Sequence, residues 1–312
     1  MFLTVTMNPS IDISYPLEHL KIDTVNRVQD VSKTPGGKGL NVARVLHDLN
    51  APVTATGILG GQHGEFIRQE LDKSNLPHNF STCAGETRDC IAILHDDGQQ
   101  TEILEAGPHI STAEADAFLK NYQNLLENVD FATISGSLAQ GLPANFYSKL
   151  LAESEKQNVP TLLDCSGSSL AEALKGEAKP YGIKPNEHEL SQLLQEKISA
   201  SNTEALKTAL EHPLFKGIEL IVVSLGAAGA FAKYQEAFYR VHIPEIEVVN
   251  PVGSGDATLA GLAYALGQNK NIQEVLKTGM TTGMLNTREA KTGHVNPDHF
   301  TELFDQVQVK PL

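Results

Sequence analysis

The chain has 312 residues, of which 41% are apolar, and it carries a formal net charge of -14. This length and apolar content suit one large α/β domain with a sizeable core, and the acidic charge argues against nucleic acid or an anionic membrane as a partner. No apolar run is long enough to span a bilayer, and the first residues lack the pattern of a signal peptide.

Short β-rich runs alternate with helical stretches along most of the chain, which is typical of a parallel sheet covered by helices. The predicted strands are Phe2–Met7, Val53–Leu59, Phe131–Ser135, Thr161–Asp164, Tyr181–Lys184 and Leu220–Ser224. The predicted helices are Lys38–Asn50, Glu65–Ser74, Thr112–Glu127, Pro143–Gln157, Asn186–Gln195 and Asp256–Gly267. The pattern predicts an α/β fold with three layers, α/β/α, around a central, mainly parallel sheet.

Two stretches, residues 10–35 and 86–108, break this alternation. The first is extended in character and follows the first strand without a helix. The second has the pattern of a hairpin, in which Cys90–Leu94 and Thr101–Leu104 flank the turn signal Asp97-Gly98. We expect both stretches to form a small separate β-sheet that lies as a lid at one edge of the main sheet. The chain would then be a single domain, residues 1–312, with this lid.

The most informative motif is Asn250-Pro-Val-Gly-Ser-Gly-Asp-Ala-Thr258, which an apolar helical run follows. Gly253, Ser254 and Gly255 precede a helix start, where free N–H groups and the positive end of the helix dipole converge. Such a point binds anions and suits the charge that develops on a transferring phosphoryl group. Asp256, in the first helical turn, could then reach a substrate hydroxyl. The alternative is that Asp256 merely neutralises the helix dipole, because helix starts are commonly acidic.

A second glycine-rich motif, Thr34-Pro-Gly-Gly-Lys-Gly-Leu-Asn41, opens another predicted helix. Its glycines allow a ligand to approach the backbone, while Lys38 and Asn41 offer donors to hydroxyl or phosphate groups. It is not a Walker A loop, since the G-x-x-x-x-G-K-[ST] spacing occurs nowhere in the chain. On glycine content alone, an ordinary turn before a helix is the better interpretation.

Taken together, the two motifs resemble the paired signatures of the ribokinase-like, phosphofructokinase-B family of sugar kinases. The resemblance extends over the whole chain and includes Thr6-Met-Asn-Pro-Ser-Ile-Asp12 and Lys184-Pro-Asn-Glu-His-Glu189. Within the family, the chain is similar to the branch that acts on sugar phosphates, the tagatose-6-phosphate kinases and 1-phosphofructokinases. The runs that are most similar to the tagatose-6-phosphate kinases are Asn8–Asp12, Gly85–Asp89 and Asn250–Asp256.

This resemblance implies roles for residues on the sugar side of the site. Asp256 would be the catalytic base, beside an anion hole formed by Gly253, Ser254 and Gly255. The residues that hold sugar hydroxyls would be Asp12, Gly37, Lys38 and Asn41. The phosphate already on the substrate would be held by Arg88 and Ser137, and Arg27 in the lid could reach the same phosphate from a partner subunit.

The resemblance also implies ATP and Mg2+ as cofactors. The residues that contact the nucleotide phosphates would be Lys184, Ser224, Gly226 and Gly229, and Asn286 would lie at the adenine end. Asn186 and Glu189 match an N-x-x-E motif that organises Mg2+ through water. Asp164 resembles a position near the nucleotide, but it could equally cap a turn at the end of its strand.

The implied activity is transfer of a phosphoryl group from ATP to the C1 hydroxyl of D-tagatose 6-phosphate, which gives D-tagatose 1,6-bisphosphate and ADP. One alternative is a 1-phosphofructokinase that uses the C6 hydroxyl of fructose 1-phosphate. Another is a regulator that binds a sugar phosphate without turning it over, although such a protein has no need for Asp256 beside an anion hole.

Two further expectations concern the location and assembly of the protein. Three cysteines, Cys83, Cys90 and Cys165, suit neither a disulfide framework nor a zinc site. We therefore expect buried thiols in a reducing compartment, and a cytoplasmic protein. The open edges of a lid sheet suggest a homodimer that forms through the lid.

Overall fold

The computed structural model describes residues 1–96 and 98–312. In chain order, the strands are β1 (Phe2–Thr6), β2 (Ser10–Pro16), β3 (Ser32–Gly36), β4 (Val53–Gly60), β5 (His78–Cys83), β6 (Arg88–His95), β7 (Gln99–Leu104), β8 (Phe131–Ser135), β9 (Thr161–Asp164), β10 (Gly182–Ile183), β11 (Leu220–Ser224), β12 (Ala230–Tyr234), β13 (Ala237–His242) and β14 (Gln308–Pro311).

The α-helices lie mostly between consecutive strands. They are α1 (Lys38–Asp48), α2 (Gly61–Lys73), α3 (Thr112–Leu126), α4 (Phe146–Lys156), α5 (Gly167–Lys175), α6 (Glu187–Leu194), α7 (Thr203–Leu210), α8 (Ser254–Gly267), α9 (Ile272–Thr287) and α10 (Phe300–Gln306). Across residues 1–96 and 98–312, no helix combines the length and the apolar character that crossing a bilayer requires.

The main sheet has ten strands in the order β14-β13-β12-β11-β10-β9-β8-β1-β4-β5. Neighbours from β11 to β5 are parallel, whereas β12, β13 and β14 continue the sheet as antiparallel neighbours. Parallel neighbours need long crossovers, which the helices supply. This architecture confirms the predicted α/β fold with a mainly parallel central sheet.

Apolar side chains of the main sheet enter two cores, one on each face. Successive strand residues point to opposite faces, so Phe2 joins the core under α1, α8 and α9, while Leu3 and Val5 join the core under α3, α4 and α5. Because both faces are covered, β1 is buried along its whole length. The chain therefore has the layers α/β/α.

Helices α8 and α9 pack together at main-chain distance. A Cβ atom added to Gly261 would overlap Thr282 Oγ1, and one added to Gly279 would lie 2.7 Å from Leu262 Cδ2. The Thr282 hydroxyl instead donates across the helix pair to Ala257 O at 2.8 Å. Small residues at this contact hold the start of α8 firmly against α9.

The second sheet has four strands in the order β3-β2-β6-β7. Strands β2 and β6 are parallel, and each has an antiparallel outer neighbour, β3 and β7. This arrangement confirms the smaller sheet expected from residues 10–35 and 86–108. Within the predicted turn, Asp97 lies outside the described residues, and β6 and β7 pair as far as His95 and Gln99.

Some element bounds differ from the prediction for local reasons. Helix α2 begins at Gly61, whereas the predicted helix begins at Glu65. The glycines in its first turn have a low helix propensity, so the sequence pattern does not indicate that turn. Strand β10 has only two residues, Gly182 and Ile183, and Pro185 follows shortly after. Cys83 and Cys165 are buried as expected, but Cys90 on β6 is only partly buried because it faces a cavity.

Candidate functional site

A cavity of about 1680 Å³ lies between the main sheet and the second sheet. The carboxyl ends of β1, β8, β9, β10 and β11 open into it, as expected for a ligand site in an open α/β sheet. Strands β2 and β6 form part of the opposite wall. The cavity therefore combines residues from distant parts of the chain.

Most residues that the sequence predicts to be functional line this cavity. They are Asp12, Gly37, Lys38, Asn41, Arg88, Ser137, Lys184, Asn186, Glu189, Ser224, Gly226, Gly253, Ser254, Gly255 and Asp256. Three others lie elsewhere: Arg27 is exposed in the β2–β3 connection, and Gly229 and Asn286 lie outside the lining.

The N-terminus of α8 points into the cavity. Gly253 caps the helix in the left-handed region, at φ 82°, which strongly favours glycine. The N–H groups of the first helical turn have no intrahelical acceptor, so those of Gly255 and Asp256 can donate to an anion. Apolar residues after Asp256 bury the helix and fix the direction of its dipole.

Asp256 is only 6% exposed and lies in the first turn of α8. Asn41 Nδ2 of α1 donates to Asp256 Oδ2 at 2.6 Å. Burial, with a smaller contribution from the nearby carboxylate of Asp164, raises the pKa of Asp256 to about 6, although Lys38 and Lys184 oppose this shift. A carboxylate with this pKa is ionised at neutral pH and is more basic than an exposed aspartate, which suits a general base.

Asp164, at the end of β9, lies between two lysines of the cavity. Its Oδ1 lies 3.6 Å from Lys38 Nζ, and its Oδ2 lies 3.4 Å from Lys184 Nζ. The Asp164 and Lys184 side chains are 2% and 5% exposed. The Asp164 carboxylate raises the pKa of Lys38, which therefore stays charged. The sequence left two interpretations of Asp164 open, a carboxylate near the nucleotide or the cap of a turn. In the structure its carboxylate lines the cavity and pairs with both lysines.

Asp12 on β2 faces the cavity from the second sheet. Ser10 Oγ donates to Asp12 Oδ1 at 2.7 Å, and burial raises the pKa of the Asp12 carboxyl. A Cβ atom at Gly36 would overlap this carboxylate, so the glycine-rich loop passes directly beside it. The glycines thus allow Asp12 and the first turn of α1 to share one pocket.

Arg88 lies at the start of β6, and main-chain carbonyls hold its guanidinium. Its Nη1 donates to Glu105 O at 2.9 Å, and its Nη2 donates to Asn8 O at 3.1 Å. The side chain of Asn8 donates in turn to Ser137 Oγ at 3.4 Å. A fixed positive charge and a hydroxyl therefore lie near each other at the cavity.

The predicted nucleotide residues divide into two groups. Ser224 at the end of β11 lines the cavity, and its main chain forms an isolated parallel β-bridge with Asn186. In contrast, Asn286 is fully buried in α9, where its Nδ2 donates to Val252 O and its Oδ1 accepts from Gly293 N–H, each at 2.8 Å. Asn286 therefore supports the loop before α8, and Gly229 packs against the main chain of Val241 on β13.

Asn186 and Glu189 form a capping box at the N-terminus of α6. Asn186 Oδ1 accepts from Glu189 N–H at 2.8 Å, and Glu189 Oε2 accepts from Asn186 N–H at 2.9 Å. The capping box uses Glu189 Oε2, and Glu189 is one of the residues that line the cavity. In the described part of the chain, no group of three or more His, Cys, Asp or Glu could hold a metal directly. The two residues fit a hydrated Mg2+, which prefers oxygen ligands and keeps several waters.

Arg44, which lies one turn after Asn41 on α1, was not predicted to be functional. Its Nη1 donates to Pro35 O at 2.7 Å, and its Nη2 donates to Asn41 Oδ1. Burial lowers the pKa of the guanidinium, and Asp12, Asp256 and Asp48 oppose this shift. The available signal was its spacing of three residues from Asn41, which places both on one face of a helix.

The chain is similar to proteins of a known family. The profile of the family described as pfkB family carbohydrate kinase matches residues 5–299 of the chain.

Several solved structures share the fold. A Staphylococcus aureus protein provisionally assigned as a phosphofructokinase is 29% identical, with a TM-score of 0.85 and coverage of 100% of this chain and 99% of that chain. A Thermotoga maritima protein described as a possible 1-phosphofructokinase is 27% identical, with a TM-score of 0.87 and coverage of 100% and 99%. Escherichia coli phosphofructokinase-2 with fructose-6-phosphate is 24% identical, with a TM-score of 0.88 and 98% coverage of both chains.

Proposed function

The chain belongs to the pfkB family of carbohydrate kinases, and we propose that it uses ATP to phosphorylate the free primary hydroxyl of a ketohexose phosphate. The observation that carries this proposal is the position of Asp256. It is a buried carboxylate with a raised pKa, on a helix whose N-terminus opens into a cavity that contains Lys38 and Lys184. This arrangement supports a base and an anion site that act on the same substrate.

The proposed reaction is a direct, in-line transfer. Asp256 Oδ1 accepts the proton of the substrate hydroxyl while Asn41 keeps its hydrogen bond to Oδ2. The hydroxyl oxygen forms a bond to the γ-phosphorus of ATP as the bond from that phosphorus to the β–γ bridging oxygen breaks, and ADP leaves. The charge that develops on the transferring group is stabilised by the N–H groups at the start of α8.

The two lysines would flank the transferring phosphoryl group. Lys38 is the first residue of α1 and would lie on the sugar side, and Lys184 directly follows β10 and would lie on the nucleotide side. Asp164 holds both cations in place before substrate binds. In a chain with a net charge of -14, such local positive charge is what allows anions to bind.

Mg2+ would be held through water by Asn186 and Glu189. When bound, it would supply positive charge to the phosphate oxygens of ATP. The capping box fixes Glu189 in the first turn of α6, where the residue lines the cavity.

We propose D-tagatose 6-phosphate as the acceptor and its C1 hydroxyl as the nucleophile, so that the product is D-tagatose 1,6-bisphosphate. The support is the similarity of Asn8–Asp12, Gly85–Asp89 and Asn250–Asp256 to tagatose-6-phosphate kinases. Two of these runs contribute residues on the sugar side, Asp12 and Arg88. Arg88 and Ser137 would bind the 6-phosphate, and Asp12 would accept from sugar hydroxyls.

A 1-phosphofructokinase is the second candidate function. The similarity to the Thermotoga maritima protein described as a possible 1-phosphofructokinase favours it. Fructose 1-phosphate also carries a phosphate at one end and a hydroxymethyl group at the other. The same cavity could therefore present its C6 hydroxyl to Asp256.

A coupled assay of ADP release tests the two candidates together. The acceptors are D-tagatose 6-phosphate, fructose 1-phosphate, fructose 6-phosphate and unphosphorylated tagatose, each with ATP and Mg2+. We expect the highest kcat/KM with D-tagatose 6-phosphate and a bisphosphate product. Preference for fructose 1-phosphate would assign the second function. Binding of a sugar phosphate without ADP release from any acceptor would indicate a regulator instead.

We also propose a homodimer that forms through the second sheet. Ile103 and Leu104 on β7 are 54% and 59% exposed, and Ile22 in the β2–β3 connection is 83% exposed. Burial of such side chains against a second copy is favourable, and Arg27 lies in the same connection. Light scattering of the parent and of an Ile22→Glu variant would test the dimer, which we expect the variant to weaken.

A further inference from the structure

Two side chains of helix α1, those of Arg44 and Asn41, form a chain of hydrogen bonds that ends at Asp256. Arg44 Nη2 donates to Asn41 Oδ1, and Asn41 Nδ2 donates to Asp256 Oδ2 at 2.6 Å. Arg44 lies in neither of the two glycine-rich motifs and has no sugar or nucleotide role so far. Its contact with Asn41 nevertheless places it one residue away from the carboxylate.

The chemistry of the three groups allows only one orientation of the Asn41 amide. A guanidinium has five donors and no acceptor, whereas an amide side chain has one accepting oxygen and one donating NH2 group. The Asn41 oxygen must therefore face Arg44, so the NH2 group must face Asp256. An ionised carboxylate is an acceptor, and this donor is matched to it.

Arg44 is itself anchored against rotation. Its Nη1 donates to Pro35 O at 2.7 Å in the glycine-rich loop, and its Nη2 lies 3.5 Å from Thr292 O in the connection after α9. Asp12 and Asp48 add nearby negative charge. The guanidinium therefore has one stable position, from which it meets the Asn41 amide.

We propose that Arg44 is a positioning residue for the reaction, which orients the Asn41 amide so that Asp256 accepts at Oδ2 and keeps Oδ1 for the substrate proton. This inference rests on the proposed function, because it takes Asp256 as the base. Without Arg44, the amide can turn over and present its oxygen to the carboxylate. Asp256 would then need a proton to make that hydrogen bond, and it could not act as a base.

The other charged groups that face Asp256 stay in place when Arg44 is replaced. Asp164 at the end of β9 raises the pKa of Asp256, whereas Lys38 from α1 and Lys184 after β10 lower it. Arg44 also interacts with Asp256 through its charge. A test must therefore separate the orientation of Asn41 from the charge of Arg44.

The experiment compares the parent with Arg44→Met, Asn41→Ala and the double variant. For each, kcat/KM for the accepted sugar phosphate is measured from pH 5 to 9. We expect the acid limb to move upward by about one pH unit in each single variant, because hydrogen bonds to charged groups are worth on the order of one to two such units. We expect the double variant to shift little beyond Asn41→Ala, since Arg44 acts mainly through the amide and its charge is not among the main causes of the raised pKa of Asp256.

A matched control is Arg68→Met on α2. Arg68 also donates to a main-chain carbonyl, that of Phe80 at 3.1 Å, but it lies outside the cavity lining. We expect Arg68→Met to lose some stability while its acid limb stays at the parent value. The same result for Arg44→Met would overturn the proposal, because a purely structural arginine behaves in this way.

Two further outcomes would also overturn it. A further upward shift in the double variant as large as the shift in Arg44→Met alone would show that Arg44 acts through its charge and not through the amide. An unchanged acid limb in Asn41→Ala would show that the Asn41 amide does not control the ionisation of Asp256. Because this variant keeps Arg44, its result can be obtained even if Arg44→Met fails to fold.

The ionisation of Asp256 can also be followed without turnover. The pH dependence of the unfolding free energy is compared between each protein and its Asp256→Asn counterpart, because the difference reports the proton that Asp256 binds. We expect this transition to move upward with Arg44→Met. If the transition moves but Asp256→Asn retains activity, Arg44 does orient the amide toward Asp256, but the proposed base is wrong and Arg44 has no part in the reaction.

Discussion

Replacing Asp256 by Asn should inactivate the protein and stabilise it at the same time. Asparagine keeps the shape of the side chain and can accept from Asn41, but it cannot take the substrate proton. We expect kcat to fall by roughly 10² to 10⁴, the usual contribution of a general base. Binding of the sugar phosphate and of ATP should change little.

The gain in stability follows from the raised pKa of Asp256, about 6 compared with 3.8 for an ordinary aspartate. Between these two values the folded protein holds a proton that the unfolded chain has released. The unfolding free energy of the parent therefore falls as the pH rises through this range, by about 3 kcal/mol at 1.36 kcal/mol per unit. Asp256→Asn lacks this loss, so its advantage over the parent should grow from pH 4 to 6 and level off above pH 7.

Urea unfolding of both proteins at several pH values measures the difference, and the ADP-release assay measures kcat. Asp116→Asn on α3 is a suitable control, because Asp116 is an exposed carboxylate far along the sequence from the motifs. It should follow the parent in both measurements. Parallel stability curves for Asp256→Asn and the parent would show that Asp256 is an ordinary helix-terminal carboxylate, and near-normal kcat would assign the base elsewhere.

Three further substitutions test other parts of the cavity. Glu189→Gln should raise the Mg2+ concentration needed for activity and lower kcat, while the capping box is retained. The control is Glu274→Gln in the similar capping box of α9, which should leave the Mg2+ titration unchanged. An identical titration for both variants would show that Glu189 serves only as a helix cap. Arg88→Ala should lower kcat/KM for tagatose 6-phosphate by about tenfold to a few hundredfold, from a charged hydrogen bond of about 1.5–3 kcal/mol. Unphosphorylated tagatose should be a poor substrate throughout, and an equal loss for both sugars would make Arg88 structural. Gly253→Ala should cost about 1–3 kcal/mol of stability and most of kcat, because φ is 82° and the new Cβ would lie 2.6 Å from Thr292 Cγ2; normal kcat would remove the α8 cap from the site.

The layered fold could be predicted because buried parallel strands have a strong sequence pattern. Phe131–Ser135 is buried on both faces and has the predicted bounds. Strand β7 is exposed throughout, so it was predictable only through the turn signal that precedes it. Strands β12 to β14 were not predicted. In β13 the burial of successive residues does not alternate, so the strand lacks the usual period of two.

The site was predictable where one motif contains both a residue and the element that presents it. Asp256 and the glycines before it lie together at the start of α8, and Lys38 and Asn41 lie in the first turn of α1. Contacts between distant segments could not be read in this way. Asn286 matches a nucleotide position by resemblance, but in the structure its amide groups hold Val252 and Gly293.

The close contact of α8 with α9 has a consequence for how the cavity can adapt to its ligands. At Gly261 and Gly279 the helix that carries Asp256 packs so closely on α9 that no larger side chain fits between them, which leaves little room for one helix to shift against the other. We therefore expect this wall of the cavity to be the more rigid one, and we expect any closure around a sugar to come from the second sheet opposite. In the proposed reaction, the sugar hydroxyl would move to the Asp256 carboxylate, whose position is set by the packing of α8 on α9.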